Sequence, residues 1–168
     1  MGVLKFRFDP PDLATRLPEL RAAYVTGPDR TPVRTGVEVR SGLLHCAREG
    51  PESGRVSVPW PVEGFGAPVL STATLAERDE PYDLAVELAR GRLNDLRNQA
   101  ADWRLLGLCC PSAFDARLEA AQHAFAMAAT SRHVSRTANA AAQTSLAESL
   151  AASALLLDDG SARLTEVA

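Results

Sequence analysis

Apolar and polar residues along the chain follow one period in the first half and another in the second. "LKFRF" alternates Leu4, Phe6 and Phe8 with Lys5 and Arg7, the two-residue period of a half-buried strand. "PPDLATRLPELRAAYVTGPDRTP" interrupts this pattern and predicts a short helix from Leu17 to Tyr24, with Pro18 in its first turn and Gly27 beyond its end. "GVEVRSGLLHCAR" has apolar runs on either side of Ser41-Gly42, a hairpin signal because glycine accepts positive φ. "RVSVPWPV" alternates again and sets Val56, Val58, Trp60 and Val62 on one side. Pro59 and Pro61 lack amide donors, which puts that end of the strand at an edge or on its way out of the sheet. After the loop "EGFGAP", the β-branched "VLSTATL" suits one more strand or an extended connection.

From Pro81 onward the period is helical. Ala85, Ala89, Leu93, Leu96, Ala100 and Trp103 recur every three or four positions, and Gly107 marks the end of that helix. Pro111 resets the chain. Ser112 is the expected N-cap of a second helix, with Asp115 completing a capping box and Phe114, Leu118, Ala121, Phe125 and Ala128 forming the buried stripe. "TSRHVSRTAN" separates this from a last helix, expected from about Asn139 to Gly160 and burying Leu146, Leu150 and Leu157. These elements predict an α+β fold: a small, mostly antiparallel β-sheet or sandwich over residues 1–76, then an Ala-rich helical hairpin or three-helix bundle over residues 81–158. Residues 159–168 read as a tail or a linker to a following domain.

Composition sharpens this picture in one respect. Aromatics make up only 5% of the chain, so the interior must be built from Ala, Leu and Val, and small residues let helix axes approach closely. A net charge of -3, from 18 basic and 21 acidic residues, offers no broad attraction to phosphate backbones or anionic lipid, so nucleic acid is a weak candidate and is not expected as a partner. "MGVLKFRFDPP" lacks the apolar core of a secretion signal and no segment has the length of a bilayer span; the expectation is a cytoplasmic protein with no membrane partner. Cys46, Cys109 and Cys110 are an odd set with two adjacent members, a poor disulfide framework that points to a reducing compartment.

Candidate chemistry is sparse. His45, Cys46, Cys109, Cys110, His123 and His133 lack the spacing of a zinc motif, and no cofactor or metal is assigned. "ATSRHVSR" sets serines beside His133 without a nucleophile motif, and reads as solvated polarity. Glu77, Asp79, Glu80 and Asp83 stand just ahead of a helix, where the macrodipole favours negative charge. No catalytic residue is assigned. Two features remain as candidates. Arg90, Asn94, Arg97 and Arg104, with Glu87, form a polar face along the first long helix that could hold an anion or dock a neighbour. Trp60 between prolines and Phe65 between glycines are stiffly placed aromatics, suited either to stacking on a ligand or to anchoring a core.

The stretch "SGRVSVPWPVEGFGAPVLSTATLAERDEPYDLAVELARGRLNDLRNQAADW" resembles the region ahead of the catalytic domain in large bacterial proteins of glycoside hydrolase family 10, the endo-1,4-β-xylanase-like group. The similarity runs from "LKFRF" to about "LAASALLLDD", and its most specific parts are "VPWPVEGFGAPVLST" and "VELARGRLNDLRNQAADW". Family 10 catalysis uses two glutamates on a complete (β/α)₈ barrel. With 168 residues and no Asn-Glu dipeptide, this chain carries neither. What the resemblance implies is an accessory role: binding polysaccharide through Trp60 and Phe65, or bracing an adjoining catalytic domain. The alternative is a stand-alone interaction module that forms a homodimer through its Ala-rich helices.

Overall fold

The computed structural model describes residues 2–10, 12–131 and 135–166, with side chains placed as far as 157 except at Ser135. The alternation in "LKFRF" forms β1 (Gly2–Arg7), which turns Leu4 and Phe6 into the core. A four-residue helix α1 (Leu13–Arg16) and a 3-10 helix at Pro18–Ala22 follow. The helix expected over Leu17 to Tyr24 is therefore shorter, and Tyr24 already belongs to β2 (Tyr24–Thr26). β3 (Pro32–Val33) pairs back on β2. β4 (Thr35–Arg40) and β5 (Leu43–Arg48) form the expected hairpin, with Ser41 at φ 52° and Gly42 at φ 75°. Positive φ at both central residues matches the twist of the flanking strands, which fixes the register of the pair.

β6 (Arg55–Pro59), β7 (Val69–Ser71) and β8 (Tyr82–Asp83) complete two four-stranded sheets. One has the order β4-β5-β1-β8 and the other β3-β2-β6-β7; every pairing is antiparallel except that of β1 with β8. Pairing of β2 reaches only as far as Ser57 on β6. Pro59, with no amide to donate, thus falls where β6 has left β2 and keeps only β7 beside it. The Thr35 hydroxyl ties the sheets together, accepting from the Val25 amide at 2.9 Å and donating to the Val33 carbonyl at 2.9 Å.

Three long helices follow. α2 (Leu84–Leu105) buries Ala85, Ala89, Leu93, Leu96 and Ala100, the predicted stripe. It ends in a Schellman arrangement: Gly107 sits at φ 78°, its amide reaches the Arg104 carbonyl at 3.1 Å, and the Leu108 amide reaches that of Trp103 at 3.0 Å. Gly91 brings α2 against the backbone at the end of β7. A Cβ there would lie inside the contact distance of the Ser71 carbonyl oxygen and the Thr72 carbonyl carbon, and 2.7 Å from the Ala73 nitrogen.

α3 (Ser112–Thr130) starts one residue earlier than the capping box would place it. Pro111 holds the N-cap position without a side-chain cap, Ser112 is helical, and Asp115 turns instead to Arg104 at 3.0 Å. α4 (Ser135–Glu166) begins before Asn139 and continues through Gly160. Residues 159–166 are thus helical, where a tail was expected, and His133 lies outside the described residues. α3 and α4 run antiparallel, with the Ser145 hydroxyl on the Ala121 carbonyl at 2.9 Å and Arg117 on Glu148 at 2.8 Å. On α4 Leu146 is buried and Leu150 half-buried, but Leu157 is 58% exposed. The buried line of Ala142, Leu146, Ser149, Ala152 and Leu156 advances by three or four residues, and Leu157 stands about 100° off it.

The change of composition near residues 76–81 is a change of secondary structure but not of core. One apolar cluster joins Leu4, Phe6, Val58 and Trp60 of the sheets to Leu88 of α2, Ala128 of α3 and Leu146 of α4. A smaller cluster, Leu96, Ala100, Phe114, Ala152 and Leu156, holds the far end of the helices together. Among the described residues no helix is long and apolar enough to cross a membrane.

Candidate functional site

The two aromatics of "VPWPVEGFG" separate. Trp60 is 0% exposed and belongs to the main core, with its indole nitrogen buried and lacking a hydrogen-bond partner among the described residues. It continues the inward line of Val56 and Val58, and its amide bonds the Pro68 carbonyl at 3.0 Å. Trp60 therefore offers no stacking surface, which corrects its candidacy as a ligand-binding residue. Phe65 rides on a tight turn closed by the Val62 amide on the Gly66 carbonyl at 2.8 Å, with Gly64 and Gly66 at positive φ. Phe65 is 42% exposed, and among the described residues no second ring pairs with it.

The polar face of α2 divides as well. Arg90 is half-buried, 3.4 Å from the carboxylate of the buried Glu87, with its guanidinium 5.9 Å from the centre of the Phe125 ring on α3. Arg104 reaches Asp115 of α3. These two fasten α2 to α3. Asn94 and Arg97 face solvent without a hydrogen-bond or ion-pair partner among the described residues. Sequence reading missed a stronger tie on the same helix: Asp95 accepts from Arg55 of β6 at 2.6 Å, while the Arg55 Nε donates to the Thr72 carbonyl at 2.8 Å.

Two of the cavities large enough to hold a small molecule gather charged and polar side chains. The first, about 380 Å³, lies where the end of β1, the β4–β5 turn and the first turns of α2 and α4 meet. One wall is closed by Arg7 and Asp83, 2.7 Å apart. Asp83 was expected to favour the start of α2 by its charge; it does precede the helix but makes no side-chain cap bond. Asn139 of α4, whose buried side-chain oxygen has no hydrogen-bond partner among the described residues, also lines this cavity. The second cavity, about 300 Å³, opens between the β2–β3 loop and the β5–β6 connection. Arg34, Glu49 and Glu52 contribute exposed side chains to it, and Arg48 a buried one. Nothing in the sequence pattern marked Arg48, because it takes an inward position of β5 after Leu44 and Cys46 in the same alternation.

Comparison with protein-family models, with curated proteins and with solved structures finds no match to this chain. Its chemistry must therefore be read from the residues alone. Among the described residues no group of three or more His, Cys, Asp or Glu side chains comes together to hold a metal ion. Cys46 is free and buried in the core, where desolvation pushes its thiol up to about 12, with Arg48 pulling weakly the other way. Cys109 is free and exposed, and Cys110 partly so.

Thiol labelling checks this directly. At pH 8 in native buffer Cys109 should react with a disulfide reagent at the rate of an ordinary exposed thiol, and Cys46 only after denaturant is added. The raised thiol also has a sign in pH: folding holds Cys46 protonated, so its contribution is complete below pH 9 and is lost as pH rises from 9 toward 12, where the unfolded chain alone ionises. Fast native labelling of all three cysteines would contradict the packing of β5.

Proposed function

We propose that this chain is a non-catalytic accessory unit of a carbohydrate-active, xylanase-like glycoside hydrolase, and that it braces an adjoining catalytic domain. The observation that carries this reading is an exposed apolar end on α2. Leu105 is 86% and the adjoining Leu106 76% exposed where that helix ends. Neighbouring large apolar side chains exposed together mark contact surfaces. The resemblance of "VPWPVEGFGAPVLST" and "VELARGRLNDLRNQAADW" to the region ahead of a family 10 barrel supplies the partner class. Burial of Trp60 weighs against the glycan-binding form of the same role, since Phe65 remains as a lone ring.

The alternative, a stand-alone module that pairs with a second copy, draws on the same leucines. Three measurements on the purified chain separate the readings. Bracing predicts a monomer by sedimentation, no retardation in xylan or cellulose gels, and a higher thermal midpoint for an adjoining family 10 barrel when the chain is present. That rise should disappear in Leu105→Asp/Leu106→Asp. A dimer dissociated by the same double variant would instead establish self-association, and xylan retardation abolished by Phe65→Ala would establish glycan binding. Release of sugar from xylan by the chain alone would refute a non-catalytic role.

A further inference from the structure

We propose that Cys109 and Cys110 form a reversible redox site, which closes to a disulfide by exchange with a small-molecule disulfide such as glutathione disulfide, and that closure loosens the far end of the helices. The two residues lie on the short irregular link between α2 and α3, held by the Gly107 stop on one side and by Pro111 on the other. Both thiols are free. Cys109 is exposed, and Cys110 is half-buried against the cluster of Leu96, Ala100, Phe114, Ala152 and Leu156. Neither residue makes a hydrogen bond, from backbone or side chain, to any described residue. The link can therefore turn at these two positions without breaking one, whereas the Leu108 amide just before them is tied to the Trp103 carbonyl at 3.0 Å.

Adjacent α-carbons stand about 3.8 Å apart, short of the roughly 4.4–6.8 Å that an unstrained disulfide spans. A bond between neighbours is strained, which makes it a poor staple but an easily reduced one, and easily reduced disulfides are the ones that switch. Exposure sets the order of events. The Cys109 thiolate attacks one sulfur of glutathione disulfide, whose S–S bond breaks to release one glutathione thiolate and leave a mixed disulfide on Cys109. The Cys110 thiolate, carried by the next residue and so held close by, then attacks the Cys109 sulfur and expels the second glutathione thiolate. Two electrons pass from the cysteine pair to the glutathione disulfide, and the two thiol protons end on the two glutathiones. Cys46 takes no part, because it is buried in the main core. Drawing the two sulfurs together pulls Cys110 from the apolar cluster, so the oxidised chain loses packing where α2, α3 and α4 meet. This inference stands whether or not the exposed end of α2 meets a partner.

Intact mass of the native full chain, treated with glutathione disulfide and quenched in acid, tests the chemistry. The chain should lose the mass of two hydrogens and keep no adduct, and excess glutathione should restore it. Trypsin should place the loss within the single peptide from Leu105 to Arg117, which carries both cysteines. Cys109→Ser should stop the reaction, and Cys110→Ser should trap one glutathione on Cys109. Should either variant fail to fold, the mass and the peptide of the unaltered chain decide the matter. A thermal melt reads the second half of the proposal: oxidation should lower the midpoint by roughly 2–4 °C, and reduction should return it. A glutathione adduct that persists on the unaltered chain, a disulfide between two chains, or no change of mass overturns the redox site. An oxidised chain with the midpoint of the reduced one overturns its link to the helix cluster.

Discussion

Replacing Gly91 by alanine is expected to destabilise the protein by about 2–3 kcal/mol, against the sign that helix propensity alone would give. In an exposed helix interior the same change stabilises by roughly 1 kcal/mol, since alanine is the best helix former and glycine nearly the worst. Gly91 is buried where α2 comes up against the backbone at the end of β7. The atoms a new methyl would meet are the Ser71 carbonyl oxygen, the Thr72 carbonyl carbon and the Ala73 nitrogen, none of which can turn aside as a side-chain tip could. Relief requires α2 to move off the sheet. That would strain Arg55 between Asp95 and the Thr72 carbonyl, and Thr72 itself, whose hydroxyl accepts from the Val56 amide at 3.0 Å. Overpacking of this kind typically costs 1–3 kcal/mol, and backbone obstacles put it at the upper end. Denaturant titration checks the value, with Gly36→Ala as control. A Cβ at Gly36 would rest at an ordinary 3.8 Å from Ala47, so that variant should stay within about 0.5 kcal/mol of the unaltered chain. A Gly91→Ala protein as stable as its parent would mean that α2 does not lie so close to β7.

Why that contact escapes sequence reading, while much else does not, follows from the range over which each feature is specified. Alternation in "LKFRF", the Ser41-Gly42 turn, the three-or-four spacing from Ala85 to Ala100 and the Gly107 stop are local, and local sterics and periodicity express them directly. Asp115 shows the limit of a local rule: a capping-box spacing was present, but Arg104 on the preceding helix competes for its carboxylate and wins it. Leu157 shows another, because a one-residue drift along a long helix exchanges an inward leucine for an outward one. Pairings between distant positions leave no periodic trace at all. Arg55 and Asp95 are 40 residues apart, and the parallel match of Phe6 with Tyr82 depends on a two-residue strand inside an acidic loop. The candidate site was legible to a similar degree. The α2 face was visible as a face, but not that Arg90 and Arg104 would turn to α3 while Asn94 and Arg97 stayed in water. Arg48 occupies an inward position of a strand that alternation would give to an apolar residue, and its burial follows from tertiary closure of the β5–β6 connection.

Trp60→Ala should cost about 3–5 kcal/mol, the largest loss expected from any single truncation discussed for this chain. The indole is the largest fully buried side chain, and it lies in the cluster that unites both sheets with the helices. Removing it leaves a cavity that two flanking prolines and the Trp60–Pro68 backbone bond prevent the chain from closing. Trp60→Phe separates volume from polarity. It deletes the buried Nε1, which has no acceptor among the described residues, so part of the lost packing is offset by relief of an unsatisfied donor, and the cost should fall to about 1–2 kcal/mol. Phe65→Ala, only five residues on but exposed, should change stability by less than about 0.5 kcal/mol. Denaturation midpoints followed by far-ultraviolet circular dichroism distinguish these cases. The ordering matters for function, because a Trp60 variant that lost a partner or a glycan would have lost its fold at the same time, and the loss would say nothing about recognition. If Trp60→Ala instead folds with nearly the parent's stability, the indole is not the keystone of this core, and its role as a surface for a ligand would have to be reopened.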